Sequence, residues 1–272
     1  LLAMKAAVQM NKTVLSLQTQ MRNITTAAMF ATANGHIGVG ASVMDNFRMF
    51  TDDLLGKTKD PQALRKALKE AMDNGALDSS TVAQELEQII PELLGSSKLG
   101  GKTIFSGKTS DEFFQAIFTK KGILGRAISK TIEGYQMGDN LWKFYGFQFS
   151  KSQLLPAFKN MDDVKSYFRL VEGYEFRPLK GDGTKKTLKE AISEAAGLDV
   201  KNTYPNYSMI PTFVQNVRKF PFLGNFVAFQ SEMYRNSFQI LRRGQRMMRS
   251  ENPYVRQIGA RKLIGFGTTV AV

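Results

Sequence analysis

The sequence predicts an all-α fold: a multi-helix elongated bundle with an aromatic core and no substantial sheet. Three observations carry this. Only 8 prolines occur in 272 residues, so long helices are permitted. Apolar residues recur at helical spacing over several stretches. No segment sustains the period-two alternation of β-branched residues that a half-buried strand requires. With 43% hydrophobic residues, including 20 Phe and 13 Met, the chain can build one large domain or two small ones.

Residues 1–33 carry Ala, Met, Leu and Gln with no Pro or Gly, and predict one long helix or two collinear ones ending at Asn34-Gly35, a left-handed helix stop. From Asn23 to Met44 there is no formal charge, yet Thr, Ala and the glycines Gly35, Gly38 and Gly40 make the stretch too polar and broken for an ordinary membrane span. It predicts a buried pair of small-residue helices joined by a glycine turn. The alternative is a membrane-competent hairpin, and Ala27 and Ala31 would let another helix approach closely in either setting.

Asp60-Pro61 supplies an N-cap acid and a first-turn proline, and Asn74-Gly75 closes the helix they open. A second helix is expected from Asp78-Ser79-Ser80 through Val82, Leu86, Ile89, Ile90 and Leu93 to Gly95, with Pro91 kinking its last turn, so that the two form an αα-hairpin. Residues 95–109 read as a surface loop holding Gly101-Lys102-Thr103 and Gly107-Lys108-Thr109. A phosphate loop needs four residues between its first glycine and the Gly-Lys pair. Gly95 and Gly101 each stand five residues before theirs, with no apolar strand ahead of them, so nucleotide binding here is rejected.

Residues 110–147 are apolar and helical in pattern, from a Ser110 cap through Phe113, Phe114, Ile117 and Phe118, then on from Ile123 after Gly122. The single tryptophan, Trp142, falls among Phe144, Tyr145, Phe147 and Phe149, a group expected to be core. Shorter helices are predicted at roughly 160–172 and 184–196, separated by a turn region over 177–183. The organisation expected is an N-terminal helical region over 1–95, an aromatic-rich region and connector over 96–200, and an arginine-ridged region over 201–272.

That last region holds the most informative local pattern. A helix is predicted from about Val227 to Ser250, where Arg235, Arg242, Arg246 and Arg249 stand at i, i+7, i+11 and i+14. At the helical advance per residue these four fall within roughly 60° of one another, with Phe229, Met233, Ile240, Met247 and Met248 on the other side. Arg243, Arg256, Arg261 and Lys262 extend the charge, and Glu251 is the one acid from Arg235 to Lys262. A helix stabilised by i, i+4 pairs would alternate signs. These eight residues are therefore candidates for binding nucleic acid or another anionic partner. The whole chain, at +13 and pI near 9.8, asks for a polyanion: nucleic acid phosphates, anionic lipid, or an acidic neighbouring subunit.

Catalysis finds little to draw on. There is no cysteine, which excludes disulfides and thiolate metal sites, and the one histidine, His36, lies in the glycine-rich turn and reads as incidental. A carboxylate-based hydrolase is chemically possible, but the acids fall mostly on amphipathic helix faces and no Glu-Ser pair of the lytic transglycosylase type occurs. No catalytic residue, metal or cofactor is expected.

Two stretches bear a family resemblance. Lys12-Thr13-Val14-Leu15-Ser16, Gln20-Met21-Arg22-Asn23 and Ala33-Asn34-Gly35 resemble a segment of the giant polypeptides of short-tailed bacteriophages. The second stretch comprises Asn202-Thr203-Tyr204-Pro205-Asn206-Tyr207, Pro211, Arg218-Lys219-Phe220-Pro221 and Gly224-Asn225-Phe226-Val227-Ala228-Phe229, leading into Glu232 and Arg235. It is similar to large polyvalent-protein-associated helical domains. Leu17 and Gln230 stand where those families would carry proline, so local kinks differ.

The resemblance implies an internal virion protein, a core or ejection protein without enzymatic activity. It would assemble as copies in a ring on the portal axis with other core or portal proteins. After ejection with the genome it would help form a conduit for double-stranded DNA through the host envelope. The expected locations are thus the virion interior and later the host envelope, with the host membrane a partner there. The alternative is a DNA- or membrane-binding module of a polyvalent effector delivered to the host. The Leu1 start and the apolar run at Thr269 to Val272 read as those of a piece of a longer polypeptide.

Overall fold

A computed structural model describes residues 25–26, 28–36, 48, 61–77, 140–206, 209, 212–217 and 227–271. The described helices are α1 (28–33), α2 (Pro61–Asp73), α3 (140–154), α4 (Met161–Tyr167), α5 (Leu188–Thr203), α6 (Thr212–Val217), α7 (Val227–Met248) and α8 (Pro253–Ala271). A π-helical turn, Phe168–Glu172, continues α4. Among the described residues there is no strand, only an isolated antiparallel bridge between Leu179 and Lys185. The all-α expectation holds. The second helix of the expected hairpin, the Gly-Lys-Thr loop and the apolar stretch from Ser110 as far as Asp139 lie outside the described residues.

The chain forms two compact units. One comprises Thr25–Asp78, Asn140–Asn206 and Phe229–Val272, drawing on all three regions marked out in the sequence, and it holds every site considered below. The other comprises Leu1–Ile24, Ser79–Asp139 and Tyr207–Ala228, and its described helix is α6, which opens directly after Pro211.

Helix ends follow local chemistry. Gly35 and Gly75 take φ of 70° and 72°, the left-handed region that side chains resist. At the first, Gly35 N–H donates to Thr32 O and His36 N–H to Ala31 O; at the second, Gly75 N–H donates to Met72 O and Ala76 N–H to Ala71 O. These are two copies of one terminating motif. In both, the preceding asparagine also folds its amide back on a carbonyl four residues earlier, Asn34 on Phe30 O and Asn74 on Glu70 O, each at 2.8 Å.

Capping boxes begin α4 (Asn160 with Asp163) and α5 (Thr187 with Glu190), while Asn252 accepts from Tyr254 N–H and Val255 N–H ahead of Pro253 in α8. The expected helix over 184–196 is thus displaced to Leu188–Thr203, because its start is fixed by the Thr187 cap.

The aromatic residues at 144, 147 and 149 are buried as expected, and a second set joins them: Phe158 edge-on to Tyr167 at 5.2 Å, and Phe168 against Phe176 at 4.8 Å. Among the described residues no helix is long and apolar enough to cross a membrane.

Candidate nucleic-acid interface

The eight cationic candidates separate into two groups of opposite role. Arg243 and Lys262 are buried, at 3% and 0% exposure, and belong to the interior, which corrects their placement on an exposed ridge. On α7 the buried stripe runs Glu232, Asn236, Ile240, Arg243, Met247, so Arg243 shares its phase with Ile240 and Met247. On α8 the stripe runs Val255, Ile258, Gly259, Lys262, Gly265.

Asp199 of α5 meets them both. Its carboxylate accepts from Arg243 Nε at 3.1 Å, from Lys262 Nζ at 3.0 Å and from the Ser150 hydroxyl at 2.8 Å. Arg243 turns its other edge to Glu172, donating from Nη1 at 2.8 Å and Nη2 at 2.6 Å. Lys262 donates also to Asn34 Oδ1 at 2.8 Å, and Asn34 donates to Thr203 O at 3.3 Å. Burial opposes ionisation of Asp199, but the charges of Lys262 and Arg243 outweigh it and hold the carboxyl well below its usual range. Burial pulls Lys262 below the usual lysine range while Asp199 pulls it back, and both groups that face its ammonium are acceptors.

His36 completes the network. Asp199 can only accept, so Ser150 gives its proton to Asp199 and its oxygen must receive the His36 Nε2–H, 3.3 Å away. His36 Nδ1 then accepts from the Tyr204 hydroxyl at 2.9 Å. Burial, reinforced by the Lys262 charge, lowers the His36 pKa from 6.5 to about 3. The imidazole is neutral near pH 7, and its 4.0 Å approach to Asp199 is not an ion pair.

Serine, histidine and aspartate thus meet in space, but the proton order is wrong for nucleophilic catalysis. A catalytic histidine accepts the serine proton and is oriented by the acid from its far nitrogen. Here histidine donates to serine, and Tyr204 occupies the far nitrogen. The trio therefore leaves the Ser150 hydroxyl unactivated. Among the described residues no group of three or more His, Asp or Glu could hold a metal ion.

Two more of the candidates serve structure. Arg235 pairs with Glu232 at 2.7 Å and donates to the carbonyls of Asn202 and Tyr204, both at 3.2 Å, while Glu232 accepts from Asn206 N–H at 2.7 Å. This clamps the 202–206 turn onto α7. Arg246 donates to Val171 O at 2.8 Å, satisfying the end of the π-turn.

Arg242, Arg249, Arg256 and Arg261 are exposed, and among the described residues no carboxylate lies within ion-pair distance of any of them. Burial and then the like charge of Arg242 lower the Arg246 pKa, with Arg243 and Arg249 acting the same way and Glu172 offsetting part of it, so the outer cations of α7 crowd one another. A phosphate would supply a balancing anion.

The sequence reading missed Asn34, His36, Ser150, Tyr167, Glu172, Asp199 and Tyr204 as members of a network. No protein-family model, curated protein or solved structure matches the chain.

Proposed function

We propose that the chain is a non-catalytic helical piece of a phage internal virion protein. It packs as copies on the portal axis and, ejected with the genome, helps form the conduit that carries DNA through the host envelope. The supports are the two phage-like sequence stretches and a cationic surface suited to phosphates. The single observation that carries the DNA contact is the set of four exposed arginines without carboxylate partners among the described residues, Arg242 and Arg249 on α7 and Arg256 and Arg261 on α8.

If these four meet phosphates, the affinity for duplex DNA should fall with salt at a log–log slope of about −3 to −4, since each contact contributes about −0.9. Fluorescence anisotropy with a labelled duplex tests it. The Arg242→Glu/Arg249→Glu variant should flatten the slope by about 2; an unchanged slope would remove the arginines from the interface. Sedimentation of the chain with and without duplex tests ring assembly, and a monomer under both conditions contradicts that part of the reading.

A further inference from the structure

A second cationic feature lies away from these arginines, in the cleft between α2, α5 and the turn that carries Lys180 and Lys186. The cleft has a volume of about 790 Å³, within the range of small-molecule sites. Its floor is a close helix approach. Any side chain at Gly197 of α5 would run into the carbonyl oxygen of Asn74, so the glycine lets the end of α2 lie directly on α5.

Four carboxylates line the cleft and each is already taken. Asp73 holds Lys69 at 2.8 Å, Glu190 holds Lys180 at 2.8 Å, Glu194 holds Lys186 at 2.7 Å, and Glu70 holds Lys151, which reaches in from α3. Among the described residues, three lining lysines remain with no carboxylate in ion-pair distance: Lys66 from α2, and Lys189 and Lys201 from α5.

Two details place Lys201 and Lys189 there. The Lys201 side chain passes 3.5 Å from where a Cβ would stand on Gly75. Lys189 bears electrostatically on Glu70: burial would raise this acid, but hydrogen bonds from Lys151 and Ser193 and the charges of Lys151 and Lys189 hold it below its usual range. Three ammonium groups outside the cleft's ion pairs thus line one concave wall, which concentrates positive potential in the cleft.

We propose that this cleft binds closely spaced phosphate groups through Lys66, Lys189 and Lys201. Among the described residues of the lining there is no aromatic ring on which a base could stack, and the one hydroxyl, Ser193 Oγ, is spent on Glu70 at 2.6 Å. Recognition therefore stops at the phosphates. Their source is either a free polyphosphate or the backbone of a nucleic acid, and the site is independent of the arginines on α7 and α8.

Lysine acetylation followed by mass spectrometry, on the whole chain, tests this with two probes: inorganic tripolyphosphate and a short duplex DNA. Tripolyphosphate should protect Lys66, Lys189 and Lys201 while exposed Lys159 and Lys165 still react. Protection of the same three by DNA in the Arg242→Glu/Arg249→Glu background identifies a backbone ligand; protection by tripolyphosphate alone identifies a free polyphosphate. The triple variant Lys66→Gln/Lys189→Gln/Lys201→Gln should bind tripolyphosphate at least about tenfold more weakly, as expected for loss of a charge-assisted contact. Equal reactivity of all five lysines in wild type, or an unchanged affinity in the triple variant, overturns the proposal. Loss of DNA binding with the arginine variant alone would bear on the proposed function and leave the cleft standing.

Discussion

Acid should loosen this fold well before its carboxylates protonate, and His36 is the reason. In the unfolded chain its imidazole titrates near 6.5; in the fold it stays neutral down to about 3, because burial and then the Lys262 charge oppose the proton. Below pH 6.5 the unfolded state binds a proton that the native state refuses. The contribution is therefore complete above that pH and is lost as pH falls toward 3. Each pH unit inside the window costs about 1.4 kcal/mol, so going from pH 7 to pH 5 should remove about 2 kcal/mol.

That is a substantial part of the roughly 5–15 kcal/mol that holds a domain together. The window is clean, because the chain has one histidine and the contributions of Asp199 and Glu70, whose pKa values are lowered, disappear only below 3.8 and 4.5. Urea unfolding followed by the single tryptophan, Trp142 in α3, reads the free energy at both pH values. The His36→Gln variant, which cannot titrate, should be less stable at pH 7 yet show little change between pH 7 and pH 5. Equal pH dependence in wild type and variant would refute the buried neutral imidazole.

Other perturbations separate the interior charges from the surface ones. Asp199→Asn leaves Lys262 buried without an anion and should cost about 3–5 kcal/mol in urea unfolding; adding Lys262→Met should recover part of that loss, and strict additivity in the double-mutant cycle would show that the two do not interact. Arg235→Lys keeps the charge but cannot span Glu232 and both carbonyls, so it should destabilise by about 1–2 kcal/mol while leaving the salt dependence of DNA binding unchanged. Gly197→Val should drive α2 from α5 at a cost of about 1–3 kcal/mol, visible as faster amide exchange over 71–77; unaltered exchange would contradict the close approach.

The helix ends were legible wherever a short motif sets them. Asn34-Gly35 and Asn74-Gly75 each act through one or two residues and stand where the sequence puts them, and α2 begins at Pro61 as expected. The start of α5 is set by such a motif too, the Thr187–Glu190 capping box, but its run past Gly197 has a different origin. Gly197 sits mid-helix because Asn74 of another segment needs the space, and spacing along the chain carries no such information. The buried network was partly legible. Asp199, Arg243 and Lys262 each continue the apolar phase of their own helix, after Ile192 and Ala196, Ile240, and Val255 and Ile258 respectively. Counting charges by the face they extend, rather than by the apolar stripe they interrupt, put Arg243 and Lys262 on the wrong surface. His36 carried a signal as well: it stands just beyond the left-handed glycine, where this helix terminator commonly folds an apolar residue back onto the helix.

The interior chemistry bears on the surface chemistry through charge balance. Asp199 and Glu172 oppose Arg243 and Lys262, so the buried network cancels itself, and with His36 neutral it contributes nothing to the chain's charge of +13. The entire excess is therefore carried outside that network. Local pairing among the described residues does not dissipate it: the acids of the lysine cleft are each matched by a lysine and still leave three over, and the outward arginines of α7 and α8 have no acid in ion-pair distance. On the proposed function, these unmatched surface cations are neutralised by an anionic partner. Raising salt from about 50 to 200 mM should weaken any such partner steeply while leaving the buried network untouched, because the Debye length shortens in solvent and the interior is screened far less. Stability in urea that fell in step with DNA affinity across that range would mean the two sets of charges are one.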